Sequence, residues 1–280
     1  MITRRSAFAE QYSSLLPSEL RMRVSMMHGV TRRHFLWGAT GTAVGRITGG
    51  DAFHAFKAAP AVMVSAAVKN DWSPDGDLSK PQWVRTVSVQ FDQDAFSGAR
   101  YPEFATKVGS CWTAEYLYVG FWCHYQALNM YSGEDSARKR WRLWERDVVE
   151  AFIQPAPQVP SHYYEFEMAP NNQWLDLDIH LGPKPVHNAG WNSGFEHAAR
   201  IDPATDMWTA EMRIPIASMN AEICPGEDWR VNYYRCDGPG DDRARRMMCW
   251  GQLPLRGPGA SFHQPASFGV LRFSDPSLTP

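Results

Sequence analysis

The sequence predicts an all-β protein, a single antiparallel β-sandwich behind an N-terminal leader. Three observations carry this. Short segments alternate apolar and polar residues with the period of two that a half-buried strand requires. Clusters of Pro, Gly, Asp and Asn separate those segments. Long helical periodicity is absent. Eight or more such strands in 280 residues fit one sandwich of the jelly-roll or immunoglobulin-like kind, with no linker after Ala61 to divide it.

Taken in order, residues 1–60 form the leader. It carries eight Arg/Lys against three Asp/Glu, a balance of +5, and the remaining residues carry 20 against 27, or −7. Thr31-Arg32-Arg33-His34-Phe35-Leu36, followed by a weakly apolar Gly/Ala-rich run, resembles a twin-arginine export signal and implies a periplasmic or extracellular protein. Residues 61–280 are the folded domain. Its mild acidity argues against nucleic acid, which demands a basic face. No run approaches the roughly 18 apolar residues of a membrane span. Five cysteines without a C-x-x-C leave at least one thiol unpaired.

Val62–Val68 reads as a first strand, and Ser73-Pro74-Asp75-Gly76-Asp77 as a turn, because Pro presets φ and Asp-Gly tolerates φ > 0. Gln82–Phe91 alternates as a second strand. Leu117–His124 is a clear one, with Leu117, Val119, Phe121 and Cys123 opposite Tyr118, Trp122 and His124. Asp147–Ile153 wants burial on both faces, yet Glu150 sits in its middle. An unpaired buried carboxylate is costly, so Glu150 should be paired or bind something. In His162–Met168, Tyr164, Phe166 and Met168 are assigned inward, Glu165 and Glu167 outward. In Trp174–Leu181, four aliphatic residues oppose Asp176, Asp178 and His180. Trp208–Ile214 alternates until Pro215, Ile216–Asn220 fits one helical turn, and Trp229–Arg235 and Phe268–Phe273 are the last strands.

Enzyme motifs give no lead: there is no G-x-S-x-G and no P-loop. Nine histidines show no H-x-H, no H-E-x-x-H and no cysteine at zinc spacing. A b-type haem held by His and Met needs no local motif and stays open. Paired carboxylates would suffice for a glycosidase, but thirty acidic residues make such pairing uninformative. Calcium is a further candidate at Asp75, Asp77 and the Asp176/Asp178 pair. The remaining signal is aromatic. Twelve tryptophans exceed what a plain core asks for, so one or two are expected to be ligand platforms. Trp141 and Trp144 precede the Asp147–Ile153 strand, and Phe262 lies in the loop before the last one. Two loop aromatics can clamp a flat sugar ring on its C–H faces, while a carboxylate accepts from its hydroxyls.

An ordered series of segments then resembles a known family: Asp75-Gly76-Asp77…Trp83, Cys111-Trp112 with Leu117-Tyr118-Val119, and Trp144-Glu145-Arg146-Asp147-Val148-Val149-Glu150. It continues through Trp208-Thr209-Ala210-Glu211, Trp229-Arg230-Val231-Asn232, Cys249-Trp250 and His263-Gln264-Pro265-Ala266-Ser267-Phe268-Gly269. Over residues 62–273 it resembles the family 9 carbohydrate-binding modules and the wider β-sandwich superfamily that includes DOMON domains. The resemblance implies a non-catalytic sugar site, with Trp144 and Phe262 as the two aromatic walls and Glu150 contacting hydroxyls. It also implies mono- or oligosaccharide ends as ligands and a separate glycoside hydrolase as partner. Where those modules carry an arginine, this chain has Glu167. Arg235, near Asn232 on one strand, is the expected substitute, and both join the predicted site. The alternatives are a haem-binding electron-transfer domain of the same superfamily and a glycoside hydrolase.

Overall fold

The computed structural model describes residues 59–132, 138–239, 245–251, 255 and 260–275. The expected twin-arginine motif, Thr31–Leu36, lies outside them. Among the described residues thirteen strands form two packed layers: β1 Val62–Ala67, β2 Ser88–Phe91, β3 Thr106–Trp112, β4 Tyr116–His124, β5 Val148–Gln154, β6 His162–Met168, β7 Trp174–His180, β8 Val186–Asn188, β9 Glu196–Asp202, β10 Met207–Pro215, β11 Asp228–Asp237, β12 Arg246–Cys249 and β13 Gly269–Phe273. The first layer runs β8-β7-β6-β5-β11-β13, with β12 also on β11. The second runs β3-β4-β10-β9, with β2 on β3.

One strand joins them. Val62–Ser65 of β1 pair with β13, and Ala66 and Ala67 pair with Cys111 and Trp112 of β3. Both pairings are parallel, so the antiparallel expectation needs correction at this strand alone. The reason is that one short chain segment crosses from layer to layer without reversing.

The core between the layers takes alternate residues of each strand, as the period of two requires. Val119 and Phe121 of β4 and Ala210 and Met212 of β10 meet Val149, Ile153, Phe166 and Tyr233 from the first layer. Phe121 and Tyr233 touch edge to face at 5.8 Å.

Both layers are also covered on their outer faces. Outside the second layer, Trp83, Tyr118 and Cys111 form a small cluster. Outside the first, Val148, Phe152, Tyr163, Leu175, Leu177, Ile179, Tyr234 and Phe268 form a larger one. One sequence assignment changes as a result. Glu165 and Glu167 do leave the central core, but into this outer cluster, where they are buried. The leucine face of β7 is the loop-covered one, and Asp176, Asp178 and His180 lie on the side of the central core. A second correction concerns Gln82–Phe91. Pro81 opens a single helical turn, Pro81–Val84, and only Ser88–Phe91 is strand. Proline at the first helical position loses no needed N–H and has a preset φ.

Trp83 is held there by Glu211 of β10, itself fully buried. Its carboxylate accepts from the indole N–H of Trp72 (2.7 Å) and of Trp83 (2.9 Å), and from the backbone N–H of Asp75 and Gly76 (2.9 Å each). Gly76 has φ +77°, and a Cβ there would come within 2.8 Å of Arg200 Cγ. The Asp75 and Glu211 segments, distant in sequence, therefore form one clamp. Removing an acceptor from four donors leaves them unsatisfied, at ~1 kcal/mol or more each when buried. Glu211→Ala is expected to lower unfolding free energy by about 3–5 kcal/mol in urea denaturation. An unchanged midpoint would show that the clamp contributes nothing.

Candidate functional site

Trp144 sits in a one-turn 3-10 helix, Leu143–Glu145, entered through Arg142 at φ 65°. Leu143 is buried beneath it. Arg245 fixes the turn from behind, its guanidinium donating to the carbonyls of Trp144 (2.7 Å), Arg146 (2.6 Å) and Gly238 (3.1 Å). Asp147 then accepts from the backbone N–H of Asn129 and Gly238, both at 2.8 Å. Burial holds the Asp147 carboxyl up at about 6 despite these donors. Trp141 stands half exposed with its ring edge-on to Trp144, centroids 5.0 Å apart.

The turn delivers the chain into β5, whose outward residues form the floor of a cleft of about 370 Å³. Glu150 and Phe152 come from β5, Glu165 from β6 and Leu177 from β7, with Trp144, Phe96, Phe262 and His263 around them. Strand register explains the grouping. Glu150 lies directly opposite Glu167 and Phe152 opposite Glu165 across the β5–β6 ladder.

Three carboxyls thus share one dry sheet face. Burial, reinforced by Glu165, raises Glu150 well above the usual carboxylate range, while Cys236 (Sγ–H to Oε1, 3.5 Å) and Arg245 oppose the shift. Burial pushes Glu165 up to about 7. Glu167 is raised well above its ordinary value by burial and then by Glu150 and Glu165. Ionising all three together would set like charges against each other in a poorly solvated place. Burial thus favours the protonated form of all three, and a protonated carboxyl can both donate to and accept from hydroxyls.

Phe262 is 8% exposed. It stacks on Tyr234 at 4.0 Å and lies nearly parallel to Phe96 at 5.8 Å. Phe96 is 37% exposed, so it is the more open ring of that wall. Beside them, His263 Nδ1 meets the Tyr163 hydroxyl at 2.6 Å and lies 4.0 Å from Glu165 Oε2. Burial and then His187 lower the His263 pKa to about 4, leaving a neutral imidazole.

Of the five residues expected from the sequence, Trp144, Glu150 and Phe262 line this one cleft. Arg235 does not. It alternates with Tyr234 and Cys236, faces the other side of β11, and is fully buried there. Its guanidinium donates to Asp237 (2.7 Å), the Phe104 carbonyl (3.0 Å) and Thr106 (3.2 Å), so it cannot replace an arginine at the cleft. Asn232 is on the cleft's face but one bond behind it. Its Nδ2 donates to the Tyr234 hydroxyl (2.8 Å), which in turn donates to the Phe262 carbonyl (2.9 Å). Asn232 positions the aromatic wall.

The carboxylates named for calcium meet protein cations or donors instead. Asp75 pairs with Lys80 at 2.6 Å, Asp77 lies 3.4 Å from Arg200, and Asp176 pairs with Lys139 and accepts from Ser193. Phe96, Glu165, His263 and Arg245 were not expected at the cleft. For Glu165 a signal existed: an alternating Glu-x-Glu strand directly after the Glu150 strand. For Phe96 and Arg245 there was none, because their loops converge only in the folded chain.

Known proteins share this architecture. A solved chain from Bacteroides uniformis matches at 17% identity with TM-score 0.59, covering 77% of this chain and 100% of that one. A family 9 carbohydrate-binding module of Caldicellulosiruptor kristjanssonii, solved with cellotriose, matches at 16% identity and TM-score 0.53, over 79% of this chain and 98% of that one. The same organism's module with glucose matches at 15% identity and TM-score 0.53, over 79% and 99%. An extracellular protein of Arthroderma benhamiae is 26% identical over 187 residues, 62% of this chain and 81% of that protein. Residues 75–275 match the profile of the carbohydrate family 9 binding domain-like family, and the chain belongs to that family.

Proposed function

We propose that the chain binds carbohydrate without catalysis, taking a sugar ring into the cleft between Trp144 and the Phe96–Phe262 wall. The observation that carries this is the convergence of those rings over Glu150 and Glu165 in one cleft of about 370 Å³. An aromatic face accepts the C–H side of a pyranose, and carboxyl groups on the floor exchange hydrogen bonds with its hydroxyls. The cellotriose and glucose bound by the structural neighbours point to a glucan end as the first ligand to test. The extracellular relative and the Thr31-Arg32-Arg33 leader support export by the twin-arginine route, and a separate glycoside hydrolase is the fitting partner.

Calorimetric titration with cellotriose is the direct test. Trp144→Ala is expected to weaken binding by ~2 kcal/mol, roughly thirtyfold in Kd, with the fold intact. Equal affinity in the variant would remove Trp144 from the site, and hydrolysis of cellotriose by the same preparation would overturn the non-catalytic reading.

The carboxyl floor generates a second expectation. Glu165 holds its proton in the folded state up to about 7, well above the carboxylate's ordinary value. Between those two values the folded chain binds more protons than the unfolded one, so this contribution is full in acid and is lost as pH rises through about 7. Glu150 and Glu167 shift the same way, and His263 opposes in acid. The difference between wild type and Glu165→Gln isolates the one group. From about pH 5 to about pH 8 wild type should lose up to ~3 kcal/mol relative to the variant, read from urea unfolding at each pH. Parallel profiles would mean that Glu165 ionises normally.

A further inference from the structure

On the side of the first layer turned away from the cleft, three ligand-type side chains converge. His162 and His180 lie directly opposite each other across the β6–β7 ladder, and Asp178 is two residues before His180, on the same face. His162 Nε2 is 2.8 Å from Asp178 Oδ1, and His180 Nε2 is 3.1 Å from the same oxygen. The two imidazoles are stacked, centroids 4.2 Å apart and 8° from parallel. All three donor atoms lie within 4.8 Å of one another. Two stacked rings thus present the same nitrogen to one carboxylate.

We infer that His162, Asp178 and His180 form a binding site for a zinc-like first-row divalent cation. With zinc–nitrogen and zinc–oxygen bonds near 2.1 Å, tetrahedral ligand atoms sit about 3.3 Å apart. The nitrogen–oxygen separations here need to open by only a few tenths of an ångström. Two imidazoles with one carboxylate favour zinc, copper or nickel over calcium, which prefers oxygen donors alone. Three protein ligands leave at least one position for water. The side chains have access to solvent, Asp178 at 18% exposure, His162 at 27% and His180 at 52%. His162 also lines a surface groove of about 270 Å³ with Gln158, Tyr164 and Glu222, which gives the ion a route in. A bound ion would tie β6 to β7 close to the sheet edge that β8 forms.

The site was hidden in the sequence because its ligands come from two strands, and only register places them together. It is separate from the cleft: Glu165 and Leu177, which line the cleft, alternate with these residues and point to the opposite face. The inference does not depend on sugar binding.

The test is titration of chelator-treated protein with Zn²⁺ by calorimetry, and with Co²⁺ by its visible ligand-field bands. One equivalent is expected, with a rise in thermal midpoint on Zn²⁺ addition. His180→Gln, at an exposed position, and Asp178→Asn should each weaken Zn²⁺ binding roughly tenfold or more, abolish the thermal shift and change the Co²⁺ spectrum. Both variants should keep the wild-type thermal midpoint without metal to within a few degrees. Absence of saturable binding at equimolar metal would overturn the site. Binding unchanged in both variants would do so as well, and would move the ion elsewhere, with the His187–His263 pair the first alternative.

Discussion

The first layer has to be buried on both of its faces, and most of what is distinctive in this protein follows from that constraint. Its inner face packs on the second layer through residues such as Val149, Phe166 and Tyr233. Its outer face is closed by loops carrying Leu143, Phe262 and Phe268, which arrive from separate parts of the chain. A sheet covered only once would leave Glu150, Glu165 and Glu167 in water with ordinary pKa values. Covered twice, Glu150 and Glu165 line a dry cleft and Glu167 is buried beside them.

The floor is acidic, and burial favours its protonated form. Burial is the largest cause of all three raised carboxyls, and like-charge repulsion adds to it at Glu150 and Glu167. Arg245, the cation that opposes the shift at Glu150, spends its guanidinium on the backbone carbonyls behind Trp144. It therefore serves the shape of the cleft as well as its electrostatics. Glu167 is fully buried opposite Glu150, and Arg235 is committed to Asp237 on the far side of β11.

The opposite face of the same strands has a different chemistry. There His162, Asp178 and His180 keep contact with solvent, and their polar atoms turn toward one another. Alternation along β6 and β7 separates the two sets of side chains, so one pair of strands can serve a sugar cleft on one side and a cation site on the other.

The class of fold, the position of most strands and the local adjacency of Trp144 and Glu150 were legible in the sequence, because these rest on period-two patterning and turn chemistry within a few residues. It also placed Phe262 in the loop before the last strand. It missed β3, β8, β9 and β12, whose short or weakly alternating segments are held as strands by their neighbours. It misread Gln82–Phe91, where Pro81 and the pull of Glu211 on Trp83 outweigh alternation. Which face of each strand looks into the cleft depends on the packing of the folded chain. Alternation sorts residues into two faces, but when both are covered it does not say which face lies under the other layer and which lies under loops. That ambiguity is why Glu165 reads as solvent-facing although loops bury it, and why Arg235 reads as facing the site. The convergence of Phe96, Arg245 and His263, and the meeting of His162 with His180, depend on register and chain crossing, which no local pattern records.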